Sequence, residues 1–148
     1  MIYLGADHGG YELKEEIKQY LSKKGLDFED LGNKEHDEND DYPDYAFAVS
    51  ERVAENKNNR GILLCRSSGG MVIAANKVKG IRAVSCHDVK SARHAREHNN
   101  ANVITMPADW LNKKQTMNIV ETFLDTLFTN EKRHVKRLKK IEDYEETQ

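Results

Sequence analysis

The sequence predicts an α/β fold: a doubly wound, Rossmann-like, five-stranded parallel sheet with helices on both faces. Short apolar segments alternate with amphipathic segments along the chain, at the spacing of repeated strand–helix units. Segments 2–6 and 61–65 are short, nearly continuous apolar runs, as expected for strands covered on both faces. Polar or small residues follow several of these runs. They would lie at the carboxyl ends of the parallel strands, where ligands bind in such folds.

Five segments have the length and apolar content of strands: 2–6, 27–31, 61–65, 81–86 and 102–106. Six segments carry apolar residues at helical spacing: 11–24, 43–54, 71–78, 89–98, 112–127 and 131–144. Gly25 ends the first helix, and Pro43 suits the first turn of the second. The intervening residues 33–44 are acidic and predict a solvated loop, because their spacing does not match a calcium loop.

Composition narrows the classes of protein to consider. The chain has 148 residues, 38% hydrophobic and 32% charged, which fits one domain spanning 1–148. A net charge of −2 gives no reason to expect a nucleic-acid partner. No apolar run approaches the roughly 20 residues that span a bilayer, and the first residues lack the pattern of a signal peptide. Two cysteines are too few for a disulfide scaffold, so we expect a reducing, cytoplasmic location.

Cys65 is the leading candidate for chemistry. It ends a predicted strand and is followed by the small-residue loop 66–70 and then a helix. Free backbone N–H groups and the positive end of the helix dipole favour an anion there, and they predict a lowered pKa for the thiol. Packing in the core is the alternative, and it is the role we assign to Cys86, which lacks such a loop.

Histidines supply further candidates. Asp7 and His8 follow the first strand and suit either a simple turn or a pocket that holds a carboxylate and an imidazole. His94 and His98 are four residues apart on a helix, but the zinc-protease pattern fails and a third ligand is missing, so we expect no metal. His98, followed by Asn99, is a plausible pocket histidine at the end of its helix.

The last helix, about 130–145, is basic and has few apolar residues. Arg133 and Arg137 share one face of it and suit a phosphate group. A solvated basic face is the alternative, to which neighbouring lysines such as Lys136 belong. The narrow apolar stripe predicts packing on a second subunit or, failing that, a frayed tail.

Several motifs together resemble the ribose-5-phosphate isomerase B family, which includes galactose-6-phosphate isomerase subunits. The matching segments cover nearly the whole chain: 5–10, 41–46, 61–65, 73–77, 80–83, 95–99 and 133–134. The resemblance implies isomerisation of an aldose phosphate to a ketose phosphate through an enediolate, without metal or organic cofactor. Ribose 5-phosphate and ribulose 5-phosphate are the expected pair. It also implies active sites shared between two subunits of a homodimer, or of a tetramer.

The family's functional positions can be placed on this chain. Cys65 would remove a proton from carbon 2, Ser67 would move protons between the sugar oxygens, and His98 would help open the ring. Substrate contacts would come from the remaining matched residues: Asp7, His8, Gly69, Gly70, Asn99, Arg133 and Arg137. Of these, the glycine amides would hold the enediolate oxygens, and His8 and the two arginines would hold the phosphate.

The chain also departs from the family's pattern. Many members read Cys-Gly-Thr-Gly-Ile-Gly, whereas residues 65–70 here read Cys-Arg-Ser-Ser-Gly-Gly. Arg66 and Ser68 replace glycines, which makes a left-handed backbone costlier there. Asp109 stands where the family carries a phosphate-binding arginine. We place Arg66 and Ser68 among the substrate-binding residues, with Arg66 supplying the missing positive charge. The alternatives are a relative that binds a phosphosugar or other anion without isomerising it, or a thiol hydrolase with Cys65 as nucleophile.

Overall fold

Five strands form one parallel sheet in the computed structural model, which describes residues 1–148. In chain order they are β1 (Ile2–Ala6), β2 (Phe28–Asp30), β3 (Arg60–Cys65), β4 (Ala83–Ser85) and β5 (Val103–Pro107). Their order across the sheet is β2-β1-β3-β5-β4, and every neighbouring pair is parallel. The predicted number and direction of the strands are therefore confirmed.

Six helices and one 3-10 turn connect the strands. The helices are α1 (Tyr11–Lys23), α2 (Tyr42–Ala54), α3 (Gly69–Ala75), α4 (Val89–Glu97), α5 (Lys113–Asp125) and α6 (Lys132–Glu146). Helix α3 begins two residues before its predicted start, because the turn into it is made at Ser68. Strand β4 is shorter than predicted, since the amide of Arg82 donates to the Asn102 side chain instead of joining the sheet.

Helices cover both faces of the sheet and create two core layers. Alternate strand residues point to opposite faces, so Ile62 and Leu64 join one layer while Leu63 and Cys65 join the other. The first layer contains buried residues of α1, α4 and α5, and the second contains those of α2 and α3. This arrangement confirms the doubly wound fold. None of the helices is long and apolar enough to cross a bilayer.

The order of the strands reverses between β1 and β3. From β1 the chain moves to β2 on one side, and it then returns to place β3 on the other. Such a reversal separates two loops and opens a crevice at the carboxyl ends of the strands, where ligands bind in open α/β sheets. Asp7 follows β1 and Cys65 ends β3, so both lie at this crevice. The segment after β1 can pack closely against β3 because residue 10 is glycine. A Cβ on Gly10 would lie 2.6 Å from the backbone of Leu64.

Helix α6 is the most exposed element of the fold. Of its 15 residues, His134 alone is buried. Val135, Ile141 and Tyr144 are 45%, 61% and 71% exposed. The far end of the helix contacts its own chain at the α3–β4 connection, where Glu145 accepts a hydrogen bond from the Gly80 amide at 2.9 Å. An amphipathic helix with an uncovered apolar stripe is available to a second copy of the chain.

Candidate active site

Cys65 lies at the carboxyl end of β3 with its thiol turned towards α2 and α3. The residue is 4% exposed, and its Sγ accepts a hydrogen bond from the Ser68 amide at 3.1 Å. Burial raises the pKa of this thiol, and the amides of Ser68, Met71 and Ser67 oppose the rise without cancelling it. The predicted lowering of the pKa is therefore wrong: loss of water around the sulfur outweighs the field of the short helix.

The loop after Cys65 turns its residues in different directions. Arg66 and Ser67 are exposed at the crevice, whereas Ser68 is fully buried. Ser68 has φ 75° and ψ −27°, so one of the two substitutions for glycine occupies a left-handed conformation. The Ser68 hydroxyl bonds Thr105 and Ser85 instead of facing the crevice. The Ser68 hydroxyl is therefore committed within the fold, and the predicted substrate contact of Ser68 stays a prediction that only its backbone could meet.

Gly69 and Gly70 open helix α3. As first residues of the helix, their amides have no acceptor inside it. A Cβ at Gly69 would meet open space, so its backbone borders a free volume. At Gly70 a Cβ would fall 2.3 Å from the ring of Tyr42, which lies against this loop. Tyr42 is a neighbour of the site that sequence reasoning missed, although it belongs to a matched segment.

Asp7, His8 and Asp40 form a second group at the same crevice. The Asp7 carboxylate accepts hydrogen bonds from the amides of Gly9 (2.9 Å) and Gly10 (3.3 Å). Burial raises the pKa of Asp7, and the nearby Asp40 carboxylate adds to the rise. Ligand atoms of the three residues lie within 4.8 Å of one another, a spacing that a cation could share. The hydrogen bonds already made by both carboxylates account for this spacing equally well.

His8 is held by Asp40, a residue that the sequence assigned to a solvated loop. His8 Nδ1 lies 2.8 Å from Asp40 Oδ1, and the His8 amide donates to the same oxygen at 3.0 Å. The hydrogen bond to Asp40 raises the pKa of His8, so the cationic imidazole is favoured. Burial acts to raise the pKa of Asp40, but the bonds from His8 and Asn33 outweigh it and lower that pKa. The pair therefore presents a positive group for an anion.

Arg66 and Asp109 form an ion pair above the crevice. Arg66 Nη1 is 3.5 Å from Asp109 Oδ2, and the side chains are 62% and 46% exposed. The Asp109 amide also donates to the Arg66 carbonyl at 3.1 Å. The stem of Arg66 crosses Gly9, where a Cβ would meet Arg66 Cγ at 2.4 Å. An exposed pair of this kind stabilises the fold by at most about 1 kcal/mol, so Asp109 holds Arg66 only weakly and leaves its exposed guanidinium accessible to a second anion.

His98 and Asn99 lie at the opposite edge of the sheet from Cys65. Helix α4 returns to the amino end of β5, where Val103 pairs with Gly61, whereas Cys65 pairs with Pro107. Gly61 and Cys65 are four residues apart along β3, which corresponds to a distance of about 13 Å. Within one chain the structure therefore does not bring His98 and Asn99 to the thiol.

A second cluster forms around His98. Its Nδ1 is 2.8 Å from His94 Nε2, and its ring stacks on His134 with centroids 4.3 Å apart. Burial and the neighbouring His98 lower the pKa of His134. The cluster thus joins the end of α4 to the start of α6.

The basic face of α6 continues from this cluster. A surface groove of about 340 Å³ is lined by Arg133, Lys136, Arg137 and Lys140. Arg133 is already paired with Glu131 at 3.0 Å. A larger cavity of about 410 Å³ lies between α6 and residues 79–82, away from Cys65. Neither space is lined by Cys65 or by the other residues of its crevice.

Comparison with known proteins identifies the family. The profile of the Ribose/Galactose Isomerase family matches residues 2–141. The chain belongs to this family. A crystal structure of ribose-5-phosphate isomerase B from Mycoplasma genitalium, with bound ribulose 5-phosphate, has a TM-score of 0.96 and 39% identity, and the match covers 99% of this chain and 97% of that one.

The names of two relatives specify different substrates. Ribose-5-phosphate isomerase B from Mycobacterium tuberculosis is 38% identical over 146 residues, which cover 99% of this chain and 90% of the relative. D-erythrulose-4-phosphate isomerase from Pectobacterium atrosepticum is 42% identical over 127 residues, covering 86% of this chain and 84% of the relative. Two relatives of similar identity to this chain are therefore named for a five-carbon and a four-carbon substrate. Overall sequence identity alone does not determine which sugar a member of the family uses.

The residues of the matched segments form two separated clusters within one chain. Cys65, Ser67, Asp7 and His8 meet at one edge of the sheet, and His98 lies with the residues of the second cluster at the other. The matched segments of the isomerase family include both sets. A site that needs both sets requires two chains.

Proposed function

We propose that this isomerase-family protein interconverts ribose 5-phosphate and ribulose 5-phosphate. The observation that carries the proposal is the thiol of Cys65 at the reversal of the sheet, beside exposed Ser67 and the amides that open α3. The bound ribulose 5-phosphate in the Mycoplasma genitalium relative supports the choice of substrate. No cofactor is required, because proton transfer alone exchanges an aldose for a ketose.

Cys65 would act as the base that takes the proton from carbon 2 of the open-chain sugar. Its raised pKa fits this task. A carbon acid is weak, so a thiolate of high basicity accepts its proton more favourably, although less thiolate is present at neutral pH. The enediolate would then accept hydrogen bonds from the Gly69 and Gly70 amides, each worth several kcal/mol to such an oxyanion.

The proton balance needs one further group. As the Cys65 thiol protonates carbon 1, a hydroxyl proton must move between the oxygens on carbons 1 and 2. Ser67 suits this step, because its exposed hydroxyl can donate to one oxygen and accept from the other. Asp7 would fix the sugar hydroxyls from the neighbouring strand end.

The remaining contacts would come from a second copy of the chain. In this proposal His98 of the partner subunit opens the sugar ring and Asn99 of the partner subunit binds a hydroxyl. Helix α6, about 130–145, packs on the partner and carries Arg133 and Arg137 towards the phosphate. The exposed apolar side chains of α6 support this packing. The chain would therefore act as a single domain, 1–148, in a homodimer or in a tetramer built from such dimers.

The subunit that contributes Cys65 would also supply positive charge to the phosphate, from His8 and Arg66. Asp109 stands close to the same group and would repel a phosphate unless Arg66 remains beside it. Arg66 thus restores charge that the family's arginine otherwise supplies. We also propose a cytoplasmic location, which the two free thiols support because they favour a reducing compartment.

A substrate panel tests the proposed activity. The purified protein is assayed with ribose 5-phosphate, erythrulose 4-phosphate and a hexose 6-phosphate, alongside Cys65→Ala and Cys86→Ala. We expect fastest turnover of ribose 5-phosphate, loss of at least about 100-fold in Cys65→Ala, and near-normal turnover in Cys86→Ala. Cys86 is the matched control, because burial raises its pKa to about 12 and keeps it a neutral core residue.

Two results would overturn the proposal. Full activity in Cys65→Ala would exclude that thiol as the base. Tight binding of ribose 5-phosphate in calorimetry, with no turnover of any sugar, would favour the alternative of a binding protein. The observation that supports this alternative is the Asp109 carboxylate beside the crevice.

A further inference from the structure

A trio of hydroxyl groups anchors the loop that follows Cys65. Ser68 Oγ lies 2.6 Å from Ser85 Oγ at the end of β4 and 2.5 Å from Thr105 Oγ1 on β5. Ser68 and Thr105 are completely buried. Each hydroxyl has one proton to donate and lone pairs to accept, so Ser68 can donate to one neighbour and accept from the other. The loop is therefore tied to two strands of the sheet through one side chain.

The anchored residue has an unfavourable backbone conformation. Ser68 has φ 75°, in the left-handed region where a Cβ crowds the neighbouring carbonyl. Its side chain does not cap helix α3, the usual role of serine at this position. The hydroxyl is committed to the two strands instead. Such strain persists only where surrounding contacts determine the conformation, and the hydroxyl trio supplies those contacts.

The left-handed turn has a direct consequence for the thiol. The amide of Ser68 donates to Cys65 Sγ at 3.1 Å, and the peptide plane that carries this N–H depends on the turn at Ser68. If Ser68 relaxed to a negative φ, the plane would rotate and the N–H would leave the sulfur. The amide is the largest of the contributions that oppose the effect of burial on the pKa of Cys65.

We infer that the hydroxyls of Ser68, Ser85 and Thr105 position the Ser68 amide against Cys65 Sγ and thereby favour the thiolate form of the base. The three residues act through Cys65 and are positioning residues. The consequence for catalysis rests on the proposed function. The positioning itself does not, since it concerns the sulfur in the free protein.

Alkylation of the sulfur tests the inference. In a Cys86→Ala background Cys65 is the one remaining thiol, and its reaction with iodoacetamide is followed across pH. Ser68→Ala and Thr105→Val remove a hydroxyl, so we expect the midpoint of the profile to move upward by about one pH unit. Ser68→Gly and Thr105→Ser are the conservative partners. Glycine keeps a left-handed turn without an anchor, and serine keeps the anchor, so both midpoints should stay near that of the parent.

Activity gives the second readout. With ribose 5-phosphate, Ser68→Ala and Thr105→Val should lower kcat at neutral pH by about tenfold and leave KM nearly unchanged, because the base is affected and the phosphate contacts are not. Circular dichroism confirms that each variant is folded. An unchanged alkylation midpoint in folded Ser68→Ala, or equal shifts in Ser68→Gly and Ser68→Ala, would overturn the inference. A shifted midpoint in a protein whose Cys65→Ala variant remains active would uphold the positioning and reject the proposed base.

Discussion

Asp40 offers the sharpest test of the proposal that His8 binds the phosphate. Its side chain is 5% exposed and holds His8 through a bond of 2.8 Å. Asp40→Asn keeps the shape of the side chain and removes its charge. A hydrogen bond between charged groups contributes about 1.5–3 kcal/mol, and the lower value applies here because His8 is 23% exposed. Since 1.36 kcal/mol equals one pKa unit, the pKa of His8 should fall by about one unit.

The consequence for substrate binding follows from the sign of this shift. The pKa of His8 is raised, so the cation persists below the raised value and is lost as pH increases through it. In Asp40→Asn the largest cause of the raised pKa of His8 is removed, so the cation is lost at lower pH. We therefore expect KM for ribose 5-phosphate at neutral pH to rise by up to about tenfold, with kcat little changed.

The assay is a set of KM measurements between pH 5.5 and about 8.5, with histidine titration by NMR in parallel. Asp41→Asn, at an exposed position one residue away, is the matched control and should leave both profiles unchanged. If the His8 titration moves as expected while KM stays constant across pH, His8 does not bind the phosphate. If the titration itself does not move, the geometry of the pair does not set the charge of His8.

Three further predictions concern the stability of the fold, the base and the sharing of the site. Lys14→Met should lower the free energy of unfolding in urea by about 2 kcal/mol, because it removes the fully buried ammonium group that pairs with the 12% exposed Asp30 carboxylate, whereas Lys18→Met, at a 27% exposed side chain, should cost at most about 1 kcal/mol; equal losses would contradict this. The pKa of Cys65 is raised, so kcat/KM should keep increasing with pH above about 8, and a plateau below pH 7 would refute the assignment. Mixing Cys65→Ala with His98→Ala after reversible unfolding should restore up to about a quarter of wild-type activity, since half of the dimers are then mixed and each has one intact site; no recovery in mixed dimers would exclude sharing.

The fold was largely predictable because it depends on local patterns. Runs such as 2–6 and 61–65 are buried on both faces, and helix α1 carries its apolar residues at one face, so periodicity locates them to within a few residues. The order of strands β4 and β5 was not predictable from periodicity. It depends on long-range pairing of Ala83 with Val103, which no local pattern encodes.

The site was predictable where a strand end specified it and unpredictable where contacts distant in sequence decide its properties. Asp7 and Cys65 follow strands and were found by position alone. Asp40 lies 32 residues from His8, inside an acidic segment that resembles any solvated loop. The sign of the shift at Cys65 was missed, because burial by α2 and α3 is a tertiary effect that a strand–loop–helix pattern does not reveal.

Ser68 shows the same limit in more detail. The sequence identified a residue at which a left-handed backbone would be costly, and the structure has φ 75° there. It did not identify Thr105, 37 residues away, as the anchor that makes the conformation tenable. The packing of the sheet determines which groups a buried hydroxyl contacts. These partners can therefore be identified only when the pairing of the strands is known.

Hydrogen exchange at the sugar carbons tests most directly whether Cys65 is the base. Ribose 5-phosphate is incubated with the protein in deuterated water, and carbon 2 of the aldose and carbon 1 of the ketose are followed by NMR. We expect deuterium at carbon-bound positions with the wild-type protein and with Cys86→Ala, and none above the uncatalysed rate with Cys65→Ala. Rapid carbon-bound exchange in Cys65→Ala would contradict this expectation.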